Sequence, residues 1–384
     1  MTSDFNSKLF AQEYFPEEVL GKYVHMNNSG LMPLNPNSKK FIEERVHETN
    51  SFGYFFDQEN FIERLEKYRK NIARFFNAAA EDLSFLPSTA SGISQAAFSL
   101  ENKLNGKEIL SLQGEYPSNA YPWIRLAERK NKKFTALEVI ENGKVHWEKF
   151  YSAINKETAI ICISWVQFRN ALIANLKKIG KLAKENKASF VVDGIQGVGI
   201  LDFNWQEHPE IDVFCFSSHK WMTGVLGQGF ILMRPELREN SQPLTHGALN
   251  YGDVYDSVEA RRAPHSNGRR FEAGSPNFLN IGAASAAVDF INKWNREEIL
   301  QEALKNRARL EKIIKSKGHS TLELNTEFQH PTISYIINEK THLESYSQKL
   351  WQEKISHGTL FGMLRLSPHA FHLESDFARL EEFL

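Results

Sequence analysis

The chain has 384 residues, 41% of them hydrophobic and 28 of them phenylalanine, enough to bury the core of a large α/β unit and of a smaller companion. A formal net charge of −1 gives the bulk electrostatics no means of recruiting nucleic acid or an anionic membrane. Two cysteines, Cys162 and Cys215, exclude a disulfide framework and a CxxC metal site, and no apolar run approaches the ~18 residues of a membrane-spanning helix.

The opening stretch, MTSDFNSKLFAQEYFPEEV, lacks the basic and apolar regions of a signal peptide, so a soluble cytoplasmic protein is expected. Residues 36–50 and 59–77 read as helices, the second with Phe61, Leu65, Tyr68, Ile72 and Phe75 on one stripe. LSFLPSTASGISQAAFSL then joins a short apolar run to a Ser/Thr/Gly turn and another helical pattern. From residue 109 short β-rich runs alternate with helical ones: KEILSL, TAIICISWV, ASFVVD, IDVFCFS and GQGFILMR. Buried apolar strands separated by helices imply an α/β fold with a mainly parallel sheet covered on both faces. Cys162 and Cys215 sit inside two of these runs, which predicts buried thiols. Beyond about residue 283 the helices lengthen, and the chain ends with the strands TISYII and GMLRLS and a helix over LESDFARLEEFL. The expected division is a large domain over 21–282, a smaller C-terminal α+β domain over 283–384, and an N-terminal segment, 1–20, packed on the small domain.

Four loops stand at strand ends, where ligands collect in open α/β sheets. Asp193 closes the apolar run SFVVD, where an acid can cap a helix, ligate a metal or pair with a cation. Lys220 follows VFCFSSH, and a lysine near a low-dielectric strand end can lose its proton and act as a nucleophile. Ser88, Thr89, Ser91 and Gly92 open a helix whose first N–H groups suit a phosphate. NGRRFEAGSPN is a polar, Gly-rich turn before a small-residue helix. Each has an ordinary structural reading when taken alone. Together, a carboxylate, an anion cradle and a lysine amine match the needs of pyridoxal phosphate. No metal motif of the HExxH kind and no GxxxxGK[ST] or GxGxxG is present.

These motifs resemble the class V aminotransferase group of fold-type I pyridoxal-phosphate enzymes, which includes cysteine desulfurases, isopenicillin N epimerase-like proteins and kynureninases. The likeness runs from YVHMNNSGLMPLNP at 23–36 to MLRLSPHAFHLESDF at 363–377, with the pairing of VVDGIQ and SSHKW as its most specific part. It implies a seven-stranded-type sheet, pyridoxal 5'-phosphate as cofactor, no metal, and a homodimer. By resemblance, Lys220 carries the cofactor as a Schiff base and is the catalytic base. Asp193 pairs with the pyridine nitrogen, and Gln196 bonds the phenolic oxygen. Thr89, Ala90, Ser91, Ser217 and His219 hold the phosphate, and Tyr116 stacks on the ring. Ser275 reaches the phosphate of the partner's site, and Arg365 grips the substrate carboxylate. Gln167 or Asn170 in SWVQFRNALI contacts the ring oxygen, with Gln167 favoured. Substrate contacts are also expected from Asn28 and its loop to Leu31, and from Tyr121 and Trp123. No cysteine follows Cys215, which argues against a persulfide-forming desulfurase. The resemblance therefore points to an amino-acid lyase of the C–S/β-elimination type or a transaminase. An epimerase, or a catalytically silent binding protein on the same scaffold, is the alternative.

Overall fold

The computed structural model describes residues 5–16, 19–52, 58–104, 107–141, 144–252, 262–321, 328–337 and 342–384. In chain order its helices are α1 (Ser7–Tyr14), α2 (Pro36–Phe52), α3 (Gln58–Phe75), α4 (Thr89–Ser99), α5 (Pro117–Arg129), α6 (Trp147–Ala153), α7 (Leu176–Glu185), α8 (Pro235–Asn240), α9 (Ala248–Tyr251), α10 (Phe278–Ile291), α11 (Arg296–Ser316), α12 (Leu343–Gln352) and α13 (Glu374–Phe383). The strands are β1 (Val24–His25), β2 (Leu83–Leu86), β3 (Glu108–Leu112), β4 (Phe134–Leu137), β5 (Ile140–Glu141), β6 (Lys144–Val145), β7 (Thr158–Ser164), β8 (Ser189–Asp193), β9 (Val213–Ser217), β10 (Gly229–Met233), β11 (Ser320–Thr321), β12 (Ile333–Ile336), β13 (Ile355–Ser356), β14 (Gly358–Leu360) and β15 (Met363–Leu366).

A seven-stranded sheet of order β2-β10-β9-β8-β7-β3-β4 is the frame. Only β10 runs against its neighbours, β9 and β2. Strands β7 to β10 are buried at every position, as sequences such as TAIICIS and GFILM require when helices cover both faces. Alternation along the strand divides the core. Ile161, Ile163, Phe214 and Phe216 face one apolar layer, whereas Ile160, Cys162, Val213 and Cys215 face the other with Ile93 and Trp123. Both cysteines are buried, and burial pushes both thiols well up from their ordinary range. The expected mainly parallel α/β sheet is what the chain forms.

Helix α3 stops at Phe75, short of the predicted Asn77, because Asn77 takes a left-handed conformation (φ 49°) that ends a helix. Helix α10 packs on α2 and α3, and residue 283 falls inside it. A Cβ on Gly282 would lie 2.1 Å from the Phe41 ring, so only glycine lets α10 approach α2 this closely.

The C-terminal part holds an antiparallel sheet, β11-β12-β15-β14, lined by Leu310, Ile314, Tyr335, Leu364 and Phe377. Strand β14 escaped the sequence reading because GTL is short and weakly apolar; it turns into β15 through Phe361 and Gly362, both at positive φ (49° and 77°). The N-terminal segment is sewn into this part: β1 pairs in parallel with β13, and Asn27 bridges to Ser367. Helix α1 touches both parts, with Phe10 and Tyr14 among Ile200, Trp221, Phe290, Ile299 and Phe371. Among the described residues no helix is long and apolar enough to cross a membrane.

Candidate active site

The parallel strands deliver their carboxyl ends to one edge of the sheet, and the chemistry-bearing residues meet there. Strand β9 ends at Ser217 and the chain returns antiparallel from Gly229, so His219 and Lys220 occupy the connecting loop. Next to it, β2 runs into α4 through the N-cap Ser88, whose side chain accepts from the Ser91 N–H at 3.2 Å. The Thr89 N–H donates to Ser217 Oγ at 3.0 Å, and the two hydroxyls lie 2.8 Å apart. Thr89, Ala90 and Ser91 form the first turn of α4, where N–H groups lack intrahelical partners. His219 follows Ser217 by two positions in the same loop. Burial and then the Lys220 charge lower its imidazole to about 4, and its buried Nδ1 has no hydrogen-bond partner.

The half-buried Lys220 and the buried Asp193 act on each other through their charges. Burial draws the Lys220 ammonium below the ordinary lysine value; Asp193 opposes the shift and Arg365 reinforces it. Burial likewise raises the Asp193 carboxyl, and the Glu115 charge adds to the rise, against a 3.0 Å hydrogen bond from the Ile195 N–H and the Lys220 charge. Lys220 Nζ lies 5.8 Å from the centroid of the Tyr116 ring, which is 45% exposed and packs edge-on against Phe168 at 5.0 Å.

Arg365, on β15, is 6% exposed, and its Nη1 donates to the Phe168 carbonyl at 2.8 Å. Burial pulls its guanidinium down from the usual arginine value, and its buried Nε has no partner. Asn28 is held by Nδ2 on the Ser367 carbonyl at 2.6 Å, and its buried Oδ1 has no partner. These side chains fit pyridoxal phosphate and an amino acid on chemical grounds. The hydroxyl pair, the helix start and the open His219 nitrogen suit a phosphate. Asp193 suits a pyridinium, Lys220 an aldehyde, and Arg365 a carboxylate.

Other positions assigned from the sequence are used differently. The Gln196 amide donates to the Ser29 carbonyl at 3.0 Å and accepts from Trp221 Nε1 at 3.1 Å, which leaves one N–H for any ligand. Asn170 caps its own turn, its Oδ1 accepting from the Leu172 N–H at 3.0 Å, while Gln167 is buried with its Nε2 2.6 Å from Glu115 Oε1. Trp123 does not line a site: it is fully buried between α4 and α5, whereas Tyr121, two residues away, is 56% exposed. The helix turns these two residues to different faces, which corrects their joint assignment to a pocket. Ser275 is exposed beside a cavity of about 330 Å³ that also involves Pro87, Gly227 and Asn277.

Two carboxylates escaped the sequence reading. Glu272, in RRFEAGSPN, holds Arg69 at 2.6 and 2.8 Å and accepts from the Phe85 N–H at 2.8 Å. It fastens the loop before Ser275 to β2. Glu115, directly before Tyr116, is buried and accepts from Ser164, Gln167 and Asn119. Its position next to the expected stacking aromatic was the one available signal.

The family model described as Aminotransferase class-V matches residues 46–362, most of the chain, and ends just short of Arg365. A probable cysteine desulfurase of Pyrococcus abyssi is 28% identical over 244 residues, covering 63% of this chain and 60% of its own length. An uncharacterised aminotransferase of Bacillus subtilis is 22% identical over 231 residues, covering 60% of each chain. The chain thus spans about three fifths of the length of these curated relatives. Among solved structures, a cysteine desulfurase of Thermococcus onnurineus superposes with a TM-score of 0.88 at 20% identity, covering 100% of this chain and 98% of that one. A cystine C–S lyase in complex with cysteine persulfide superposes at 0.84 with 18% identity, covering 94% of this chain and 97% of that one. At such identities the superpositions speak for the fold, that of fold-type I pyridoxal-phosphate enzymes, and the family match carries the assignment. The chain belongs to the class V aminotransferase family, a membership that indicates pyridoxal 5'-phosphate as its cofactor.

Proposed function

We propose that this protein is a pyridoxal-phosphate enzyme acting on an α-amino acid, as a C–S/β-elimination lyase or a transaminase, without a persulfide-forming cysteine. The observation that carries the reading is the meeting of the half-buried Lys220 amine, 5.8 Å from the Tyr116 ring centroid, with the buried Asp193 and with the Thr89–Ser217 hydroxyl pair at the start of α4. Thr89, Ser217 and His219, with the first turn of α4, would bind the phosphate. Tyr116 would cover the ring, and Gln167 would meet its phenolic oxygen. When bound, the cofactor supplies an electron sink for negative charge arising at the substrate α-carbon. Asp193 holds a proton at the ring nitrogen. Arg365 fixes the substrate carboxylate with charge-assisted hydrogen bonds and so sets the direction of the Cα–H bond. Lys220, drawn by burial toward its neutral form, takes the proton from Cα.

Two features favour a route without persulfide on the protein. No cysteine follows Cys215, and the chain before Arg365 turns within the two residues Phe361 and Gly362. Ser275 is proposed to serve the phosphate of a partner subunit in a homodimer. The working division of the chain stays at 21–282 and 283–384, with residues 1–20 on the smaller part; the packing of α10 on α2 and α3 favours moving the boundary beyond Ile291.

The test is a visible absorption spectrum of the purified protein with added pyridoxal phosphate, before and after borohydride, beside Lys220→Ala. A yellow band that borohydride removes, and that the variant lacks, is expected. A protein that stays colourless would promote the silent scaffold. Pyruvate and sulfide release from cysteine derivatives then identifies a lyase; amine exchange dependent on a keto acid identifies a transaminase; loss of optical purity alone identifies an epimerase.

A further inference from the structure

Glu115 is a buried acid that the proposed chemistry does not use. It stands at the end of the β3–α5 connection, after Gly114 (φ 79°) and before Tyr116. Among the described residues no lysine or arginine forms an ion pair with it. Its charge is met by hydrogen bonds alone. Oε1 accepts from the Ser164 N–H at 2.7 Å and from Gln167 Nε2 at 2.6 Å. Oε2 takes the Ser164 hydroxyl and Asn119 Nδ2, the latter at 2.9 Å. Three N–H donors require an acceptor at this place, and a carboxylate offers two oxygens that can only accept. Burial pushes Glu115 up and these donors pull it back.

The backbone of Gln167 is already fixed, its N–H on the Leu172 carbonyl at 2.9 Å and its carbonyl on the Ala171 N–H at 2.8 Å. The remaining freedom is the flip of the side-chain amide. If the amide flipped, its oxygen would face Glu115 Oε1, two acceptors in contact in a buried place. The carboxylate therefore selects one orientation and leaves the second Nε2 hydrogen for a ligand. Ser164, clamped by the same carboxylate, lies opposite Asp193 in the β7–β8 register, so the anchor is tied to the sheet at the site itself.

We propose that Glu115 is a positioning residue that fixes the amide of Gln167 so that an N–H is presented to the phenolic oxygen of the cofactor. The proposal rests on the cofactor role given to Gln167 above. A purely structural role for Glu115 would stabilise the loop without lowering cofactor affinity through Gln167, and its charge acts on Asp193 whether or not Gln167 is present.

The test compares E115D, E115Q, Q167A and the double variant E115D/Q167A, each titrated with pyridoxal phosphate and scanned for the pH midpoint of its visible band. E115D keeps the charge but withdraws the oxygens by one methylene. E115Q removes the charge but can keep an oxygen toward Gln167. The expected result is that E115D and Q167A weaken cofactor binding equally, by about five- to tenfold, the yield of one lost hydrogen bond. Both move the midpoint in the same direction and the double variant goes no further, while E115Q, which also removes the charge that raises Asp193, keeps near wild-type affinity. An E115D protein with wild-type affinity and midpoint overturns the proposal. So do effects that add in the double variant, or an E115Q loss of affinity as large as that of E115D. If E115D fails to fold, E115Q against Q167A decides, because only anchoring predicts that the first is mild and the second is not. A wild-type protein without a visible band sinks the functional reading, and this inference with it. A normal band with an unmoved E115D sinks this inference alone.

Discussion

At the scale of single residues, the site is held together by groups that the fold would be more stable without. Asp193 is buried with its carboxyl raised, so the folded state binds its proton more tightly than the unfolded chain does. Between the unfolded value, about 3.9, and the raised folded one, stability falls as pH rises; above both, the full cost of the buried anion is present. Asp193→Asn is therefore expected to raise the melting temperature of the cofactor-free protein at pH 8 by about 1 °C, for a gain of about 1 kcal/mol, with no gain below about pH 4. Calorimetry at the two pH values checks this, and an equal gain at both would rule the linkage out. Arg365 gives a complementary case. Replacing it with lysine keeps the charge but loses the fork, and kcat/KM for an amino acid should fall about 10- to 100-fold, mostly through KM. Steady-state kinetics decide; an unchanged KM would remove Arg365 from the substrate site. Lys220, Asp193, Ser217 and Thr89 were legible in the sequence because each ends or follows an apolar run, and their neighbours carry the same chemistry. Glu115 was not, because its partner Ser164 is 49 residues away and only the sheet brings them together. The amide of Gln196 was equally opaque: its bonds to Ser29 and Trp221 join three separate segments.

The elements that carry these residues were easier to read than the turns between them. Strands β7, β8, β9 and β10 follow from continuous apolar runs bounded by polar turns, since burial on both faces leaves no polar position. The alternation of strand and helix then leads to the mainly parallel sheet. Close approaches leave no such trace. A Cβ on Gly229 would lie 2.3 Å from the Ser88 carbonyl carbon, so the start of β10 presses directly on the cap of α4. Gly229→Ala must push that backbone away, at a cost of about 1–3 kcal/mol. Because Ser88 sets the position of Thr89, the same change should weaken binding of pyridoxal phosphate as well as stability. Thermal unfolding and cofactor titration of one variant test both effects, and a destabilised protein with wild-type affinity would separate the cap from the phosphate cradle. Trp123 shows the opposite failure. Its place in YPWIRLAER, two residues after Tyr121, suggests a substrate contact, yet α5 turns it into the buried layer shared with α4 and the sheet.

For the whole molecule, the sequence indicated a large α/β part and a smaller C-terminal one but not how they are joined. Helix α10 spans the expected boundary and packs on α2 and α3, while β1 and the loop after it pair with β13 and Ser367. Such pairings across the chain leave no local pattern. Assembly beyond one chain is open to a direct test. If Ser275 serves a partner's site, Lys220→Ala and Ser275→Asp proteins, each inactive or weak alone, should recover about one quarter of wild-type activity when unfolded and refolded together, by statistical pairing of subunits. No recovery would leave each chain to complete its own site.

The join between the ends of the chain also matters during synthesis. Asn28 bonds the carbonyl of Ser367 across 339 residues, and Arg365 lies two positions before that serine. A growing chain gains Thr89, Asp193 and Lys220 long before it gains this closure, and contacts of such separation form late because the loop between them must first be ordered. The grip on the substrate carboxylate proposed for Arg365 would thus be withheld from every incomplete chain. A prematurely terminated product lacks Arg365, and on the proposed reading it would not hold an amino acid against Lys220.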